Sequence, residues 1–280
     1  MTYFRQTRAI ALTNIVRKLC SALMIALLCG CANGPQINTN YRAVSQDSRA
    51  QFLILHFTAL DFPRSLEVLT KGDVSSHYLI DENPPTIYRL VDEDRRAYHA
   101  GLSYWKGQTQ LNASSIGIEI VNLGYRDTPD GRVWFDYPEA QIESVIALVQ
   151  SIVARHQIRG ERIMAHSDIA PQRKSDPGPR FPWQRLAKAG LIPWPDANAV
   201  ALRKTDFEQQ LPDAVWFQRK LEQHGYAVPL TGILDIETIS VIRAFQMKYR
   251  PSRCDGVPDA ESAAMLDVLT SSADPPRKPI

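Results

Sequence analysis

Gln51-Phe-Leu-Ile-Leu-His-Phe57 is a short, nearly continuous apolar run with a single imidazole near its end. A run of this length and composition suits a strand buried on both faces of a covered sheet. Further strands are expected over Ser76-His-Tyr-Leu-Ile80, over Thr86-Ile-Tyr-Arg-Leu-Val91 after the Asn83-Pro-Pro85 turn, and over Ser115-Ile-Gly-Ile-Glu-Ile-Val121. In the last of these, Ile116, Ile118 and Ile120 face one way, Gly117 and Glu119 the other. Arg162-Ile-Met-Ala165 reads as a closing short strand that runs into a loop holding Pro171, Pro177 and Pro179. Pro138 to Gln157 places Ile142, Val145, Ile146, Val149, Ile152 and Val153 at helical spacing; Pro138 suits a first turn and Asp136 a cap. Phe181 to Ala189 reads as a shorter helix. Strands mixed with helices predict an α/β unit, a mixed β-sheet with packed helices, over residues 49–192.

Beyond it the composition shifts. Ile192-Pro-Trp-Pro-Asp196 opens an expected linker over 193–208. Amphipathic helices are then expected over Val215 to His224, ahead of Gly225, and over Glu237 to Tyr249, with a weaker one over Ala260 to Leu269. Together they predict a small all-α three-helix domain over 209–270, followed by a disordered tail, 271–280, with three prolines. A Phe-Gln pair recurs at 217 and 245; two copies do not make a solenoid.

Of the 280 residues, 44% are hydrophobic and 22% charged, the proportions of an ordinary globular protein. That excludes a disordered chain, a collagen-like repeat and a polytopic membrane protein. The net charge is +2, but Arg5, Arg8, Arg17 and Lys18 precede residue 31, where no acidic residue stands. Without them 28 basic residues face 30 acidic ones, so nothing electrostatic points to nucleic acid. The basic stretch leads into twelve mostly apolar residues, Leu19 to Gly30. They are too few for a bilayer, which needs ~20, and suit a secretory signal over 1–30, with a buried core helix as the alternative. Leu28-Cys29-Gly30-Cys31 resembles the lipobox of bacterial lipoproteins. The resemblance implies lipidation at Cys31, a polar tether over 31–48 and, with Ala32 following, sorting to the outer membrane, facing the periplasm. Cys29 departs from the smaller residue usual there. Several acyl chains, at ~0.8 kcal/mol per buried methylene, would anchor firmly. Cys20 and Cys29 leave with the signal and Cys254 stands alone, so no intrachain disulfide is expected. With no CxxC pair, any metal falls to His and carboxylate.

Six histidines are candidates. His156 and His224 sit at helix ends, where a cation is favoured. His56 interrupts an apolar strand and needs a specific partner. His166 closes another apolar segment, and Asp176 follows ten residues on. Two imidazoles and a carboxylate are an acceptable zinc set at roughly 2.0–2.2 Å with one position left open. Spacing alone leaves structural alternatives, since Asp176 before Pro177 also suits a turn.

Ile54-Leu-His-Phe-Thr58, Ser76-His-Tyr-Leu-Ile80, Tyr98-His-Ala-Gly101, Ser115-Ile-Gly-Ile-Glu-Ile-Val-Asn122 and Ala165-His-Ser-Asp-Ile-Ala-Pro-Gln-Arg-Lys-Ser-Asp-Pro-Gly178 occur in that order. Over residues 45–190 they resemble the zinc-dependent N-acetylmuramoyl-L-alanine amidases of the phage-lysozyme and peptidoglycan-recognition superfamily, and the 165–178 string is highly specific. The resemblance implies one zinc ion on His56, His166 and Asp176, with Glu119 and Lys174 as catalytic partners. Gly232-Ile-Leu-Asp235, Thr238 and Phe245-Gln246 resemble a three-helix peptidoglycan-binding domain. With the lipobox, the whole looks like the outer-membrane lipoprotein amidases of Gram-negative bacteria, and a monomer is expected.

The implied activity is hydrolysis of the amide between N-acetylmuramic acid, ordinary or anhydro, and L-alanine of the stem peptide. Zinc would acidify a water to a pKa of about 7 and polarise the carbonyl. Glu119 would take the water's proton and return it to the leaving nitrogen, and Lys174 would stabilise the oxyanion. Gly117, with no side chain, is expected to leave room for substrate. His77 and His99 are expected to border the groove, touching the muropeptide or orienting a ligand. A non-catalytic peptidoglycan receptor is the competing class, which the complete residue set opposes. A cytoplasmic enzyme recycling anhydro-muropeptides is a third reading, which the export signal opposes.

Overall fold

The computed structural model describes residues 34–271. The expected signal, Cys31 and the tail from 272 onward lie outside them. The chain divides after Gln46, and residues 34–46 carry no helix or strand and are exposed. The body from Asp47 holds nine strands and eight α-helices among the described residues.

Its sheet is built on β1 (Phe52–Phe57), flanked by β6 (Ser115–Ile120) and β9 (Ile163–Ala165), both parallel to it. Outside β6 lie β2 (Tyr78–Ile80), parallel, and β3 (Ile87–Arg89), antiparallel, giving the order β3-β2-β6-β1-β9. Two hairpins stand apart: β4 (Tyr104–Trp105) with β5 (Gln108–Thr109), and β7 (Tyr125–Thr128) with β8 (Gly131–Trp134). Four helices accompany this part: α1 (Phe62–Lys71), α2 (Glu139–His156), α3 (His166–Ile169) and α4 (Trp183–Lys188). Four more close the chain: α5 (Ala197–Gln209), α6 (Ala214–His224), α7 (Ile236–Tyr249) and α8 (Ala260–Ser271).

The alternation of β1 sorts its side chains between two cores. Leu53 and Leu55 pack with Ile116, Ile118 and the apolar stripe of α2, Ile142, Val145, Val149 and Ile152. Phe52 and Ile54 join Trp105 and Met164 in a second core with Phe217, Tyr226 and Phe245. The C-terminal helices are therefore the cover of the sheet's second face. Each such side chain contributes roughly 1.5–3 kcal/mol of burial, so neither face is dispensable.

Three sequence expectations change. Asp136 does not cap α2: Pro138 occupies the N-cap position without a side-chain bond, and the Asp136 carboxylate, two residues upstream, lies 3.5 Å from Arg180 Nε instead. The expected linker is mostly helix α5. Asp196 caps it by accepting from the Ala199 amide at 2.9 Å, and Arg203 ties it to Asp267 of α8 at 2.8 Å. Its periodicity is weak because it buries Val200 but leaves Leu202 73% exposed. The helical domain stays small and all-α but gains this fourth helix. His224, third, is no helix-end cation: burial, and after it the charges of Lys248 and Lys106, pull its pKa down to about 3. His156 does end its helix against an anion, 2.8 Å from Glu93. Cys254 is a free thiol.

Candidate metal centre

His56 and Glu119 are register partners on adjacent parallel strands, near the C-terminal end of each. Strand parity puts His56 on the face of Phe52 and Ile54, and puts Ser115, Gly117 and Glu119 on the same side, opposite the isoleucines of β6. His166 follows β9 directly, opening α3. Asp176 comes back to it through a loop pinned by the Ser167 amide, which donates to the Asp176 carbonyl at 3.0 Å. Tyr137 Oη donates to the Pro177 carbonyl at 2.7 Å, holding the loop from the other side.

The three groups converge. His56 Nδ1 and His166 Nδ1 are 2.9 Å apart, and Asp176 Oδ2 is 3.0 Å from each. All three residues are buried. Their protonation follows from the bonds behind them. Ser115 Oγ donates to the Leu111 carbonyl at 2.6 Å, so it accepts from His99 Nε2 at 3.2 Å. Neutral His99 then accepts at Nδ1 from His56 Nε2, 3.0 Å away. His166 Nε2 lies 3.2 Å from the Ala100 carbonyl, which only accepts. Each neutral ligand imidazole thus carries its hydrogen on Nε2 and a bare lone pair on Nδ1. Protonating His56 as well is opposed by burial, reinforced by His166 and only partly offset by Asp176, and its pKa falls to about 4. Where an imidazole takes a second proton, at Nδ1, it faces Asp176, and such contacts with His166 and His56 hold that carboxyl well below the usual carboxylate range against the opposing effect of burial.

Two lone pairs and a carboxylate oxygen facing one another at 2.9–3.0 Å repel unless a cation lies among them. The donor set and its closeness suit an ion that touches all three at roughly 2.0–2.2 Å, the range of zinc. Glu119 completes the rim: Oε1 is 3.9 Å from His56 Nδ1, and Oε2 is buried with no hydrogen-bond partner among the described residues. Burial, and after it the charge of Asp176, pushes its carboxyl well above the usual range, while Lys174 opposes. The exposed Lys174 joins these groups in lining a cavity of about 230 Å³, whose other wall is Leu60, Val68, Leu69 and Val74. A candidate metal set, a buried carboxyl and a cation therefore share one opening.

His99 keeps the expected place at the border of the groove, where it orients a candidate ligand, and His77 does not reach the groove. His99 touches the cavity, but both its ring nitrogens are engaged, so it orients His56 rather than meeting a ligand of the groove. His77 is fully buried behind it. Its Nδ1 accepts from the Gly117 amide at 3.0 Å and its Nε2 donates to the Arg95 carbonyl at 3.1 Å. Gly117 makes room for His99, not for substrate: a Cβ there would lie 2.5 Å from the His99 ring. Ser115, which sets the hydrogen placement, and Tyr137 carry no signal in the sequence that marks them.

A family model described as N-acetylmuramoyl-L-alanine amidase matches residues 46–179, and one described as a peptidoglycan binding domain matches residues 210–266. N-acetylmuramoyl-L-alanine amidase AmiD of Escherichia coli strain K12 is 41% identical over 258 residues, 87% of this chain and 93% of its own. This chain belongs to the N-acetylmuramoyl-L-alanine amidase family. The solved complex of E. coli AmiD with the substrate anhydro-N-acetylmuramic acid-L-Ala-D-γ-Glu-L-Lys matches with a TM-score of 0.78 at 40% identity, covering 86% of this chain and 96% of that one. AmpDh3 of Pseudomonas aeruginosa gives 0.79 at 40%, with coverages of 85% and 98%. The amidase match spans all five residues expected to carry the chemistry: His56, Glu119, His166, Lys174 and Asp176. The peptidoglycan-binding match takes in most of α6 to α8 and leaves α5 outside it.

Proposed function

We propose that this amidase holds one zinc ion on His56, His166 and Asp176 and cleaves the bond between N-acetylmuramic acid, in its anhydro or ordinary form, and L-alanine. The observation that carries the reading is the set of three convergent ligand atoms, with the buried Glu119 carboxyl 3.9 Å from one of them. The anhydromuramyl peptides bound by AmiD and by AmpDh3 support the substrate class. Zinc, when bound, supplies Lewis-acid polarisation of the carbonyl and lowers the pKa of a water.

This chain's own residues do the rest. Glu119, with one oxygen free, takes the proton of the attacking water as a carboxylate, and its protonated form, which burial favours, delivers that proton to the L-alanine nitrogen as the C–N bond breaks. Lys174 sets a positive charge beside the developing oxyanion. His99 fixes the tautomer of His56, and His77 holds the strand beneath His99 through Gly117. The wall of Val68, Leu69 and Val74 gives apolar parts of the substrate a surface to lie on.

The chain is read as a periplasmic lipoprotein on the outer membrane. Residues 1–30 form its signal, Cys31 its lipid site, and 31–48 its tether. Among the described residues no helix is long and apolar enough to cross a membrane. The working unit is a monomer, with the amidase domain over 49–192 and the helical domain binding peptidoglycan. The test is release of free stem peptide from purified sacculi, with and without a chelator. Release that stops on zinc removal and resumes on its return is the expected result, and turnover by the zinc-free protein would reject the mechanism. Palmitate labelling lost in Cys31→Ala is expected if the anchor is real.

A further inference from the structure

Asp168 sits two residues beyond His166, is 0% exposed and does not line the cavity. Its Oδ2 accepts from the Ala165 amide at 2.9 Å, so it closes the turn on which His166 stands. The same oxygen accepts from Lys248 Nζ at 2.7 Å, and Oδ1 accepts from Tyr226 Oη at 2.7 Å. Lys248 belongs to α7, and Tyr226 follows the C-cap of α6, so both partners come from the helical domain. They are 5% and 1% exposed. Lys248 Nζ also donates to the Ile163 carbonyl of β9 at 3.2 Å and lies 4.4 Å from the Trp183 ring centre.

A buried ion pair is weak evidence for stability, because well-packed apolar side chains often do as well. What such a pair supplies is geometry: removing one partner strands a charge where water cannot reach it. Here both hydrogen bonds of the ammonium are made to the strand and turn that present His166. We propose that Lys248 and Tyr226 are positioning residues, by which the helical domain clamps the His166 turn through Asp168 and so sets the affinity of the centre for zinc. The proposal rests on the zinc reading above. It gives the domain a role separate from holding peptidoglycan, since the clamp faces inward.

The test titrates zinc into full-length apoprotein against a competing chelator, with melting temperature followed in parallel. Lys248→Met is expected to weaken zinc binding roughly 10–100-fold, the usual effect of losing a group that supports a ligand. Tyr226→Phe, which keeps the ring and loses one hydrogen bond, is expected to weaken it by a few-fold. Pairing Lys248→Met with Asp168→Asn removes both charges and is expected to recover most of the lost affinity. Val241→Ala, in the core of the same helix, is expected to lower the melting temperature with zinc affinity unchanged. Wild-type affinity in a folded Lys248→Met protein would overturn the clamp while leaving the zinc reading intact. Should that variant not fold, wild-type affinity in Tyr226→Phe would overturn it equally. A wild-type protein that binds no zinc would overturn both.

Discussion

Leaving one oxygen of a buried carboxylate without a partner costs free energy, on the order of 1–3 kcal/mol. Glu119 Oε2 is such an atom, and its neighbours Asp176 and Lys174 pull its protonation in opposite directions. Glu119→Gln keeps the shape and removes the proton exchange. Turnover is expected to fall about 10²–10⁴-fold while zinc affinity measured by chelator competition stays near wild type. A loss of zinc on the same substitution would instead make Glu119 a ligand. His99 is the complementary case, a residue whose value lies in the nitrogen it turns toward His56. His99→Phe fills the space but cannot accept from His56 Nε2, so zinc binding is expected to weaken roughly 10–100-fold.

At the scale of the element, β6 decides what its neighbours can do. It carries Ser115, Gly117 and Glu119 on one face, and these three in turn orient, admit and flank the imidazoles. Because β6 is paired on both sides, to β1 and to β2, its backbone cannot retreat from a new side chain. Gly117→Ala, with a Cβ 2.5 Å from the His99 ring, is expected to destabilise by about 1–3 kcal/mol and to lower zinc content. Adding His99→Ala is expected to restore the melting temperature but not the zinc. Recovery of both would show that His99 merely fills space. In sequence this glycine reads equally well as open space for a substrate, and only the packed ring distinguishes the two.

The body from Asp47 has a second core shared between the sheet and the helical domain, and His224 lies against it. Its ring is edge-on to Trp105 and Phe245 and stacked on Tyr226. With a folded pKa of about 3 against about 6.5 unfolded, the unfolded chain binds the extra proton between those values. Stability from this group is therefore complete above pH 6.5 and is lost as pH falls toward 3. Between pH 7 and pH 5 the loss is on the order of 2 kcal/mol, to be read from urea midpoints. His224→Phe is expected to show a smaller difference between the two pH values. An equal difference would place the sensitivity in another group; Glu93, which Arg155, His156 and Tyr78 hold at about 2 against the opposing effect of burial, loses its contribution only below about pH 4.5.

By itself the sequence determined the five strands of the main sheet and the long helix, and its family resemblance marked the candidate ligands, while the two hairpins went unmarked. Apolar alternation is a local property, and the 165–178 string carries two ligands and a lysine at fixed spacing. It also determined that the chain has separate α/β and helical portions, since each has its own periodicity. Only the tertiary structure decided that these portions share a core, that α5 is helix rather than linker, and that His77 and His99 turn inward. Each of these depends on which surface lies across from a residue. Asp136 reads as a cap in sequence and is not one, while Asp196, inside the expected linker, caps α5; the position of the first helical turn decides both. The hydrogen on His56 is the clearest instance. It is placed by a chain through His99 and Ser115 to a carbonyl at residue 111, four groups that meet only after the sheet has formed.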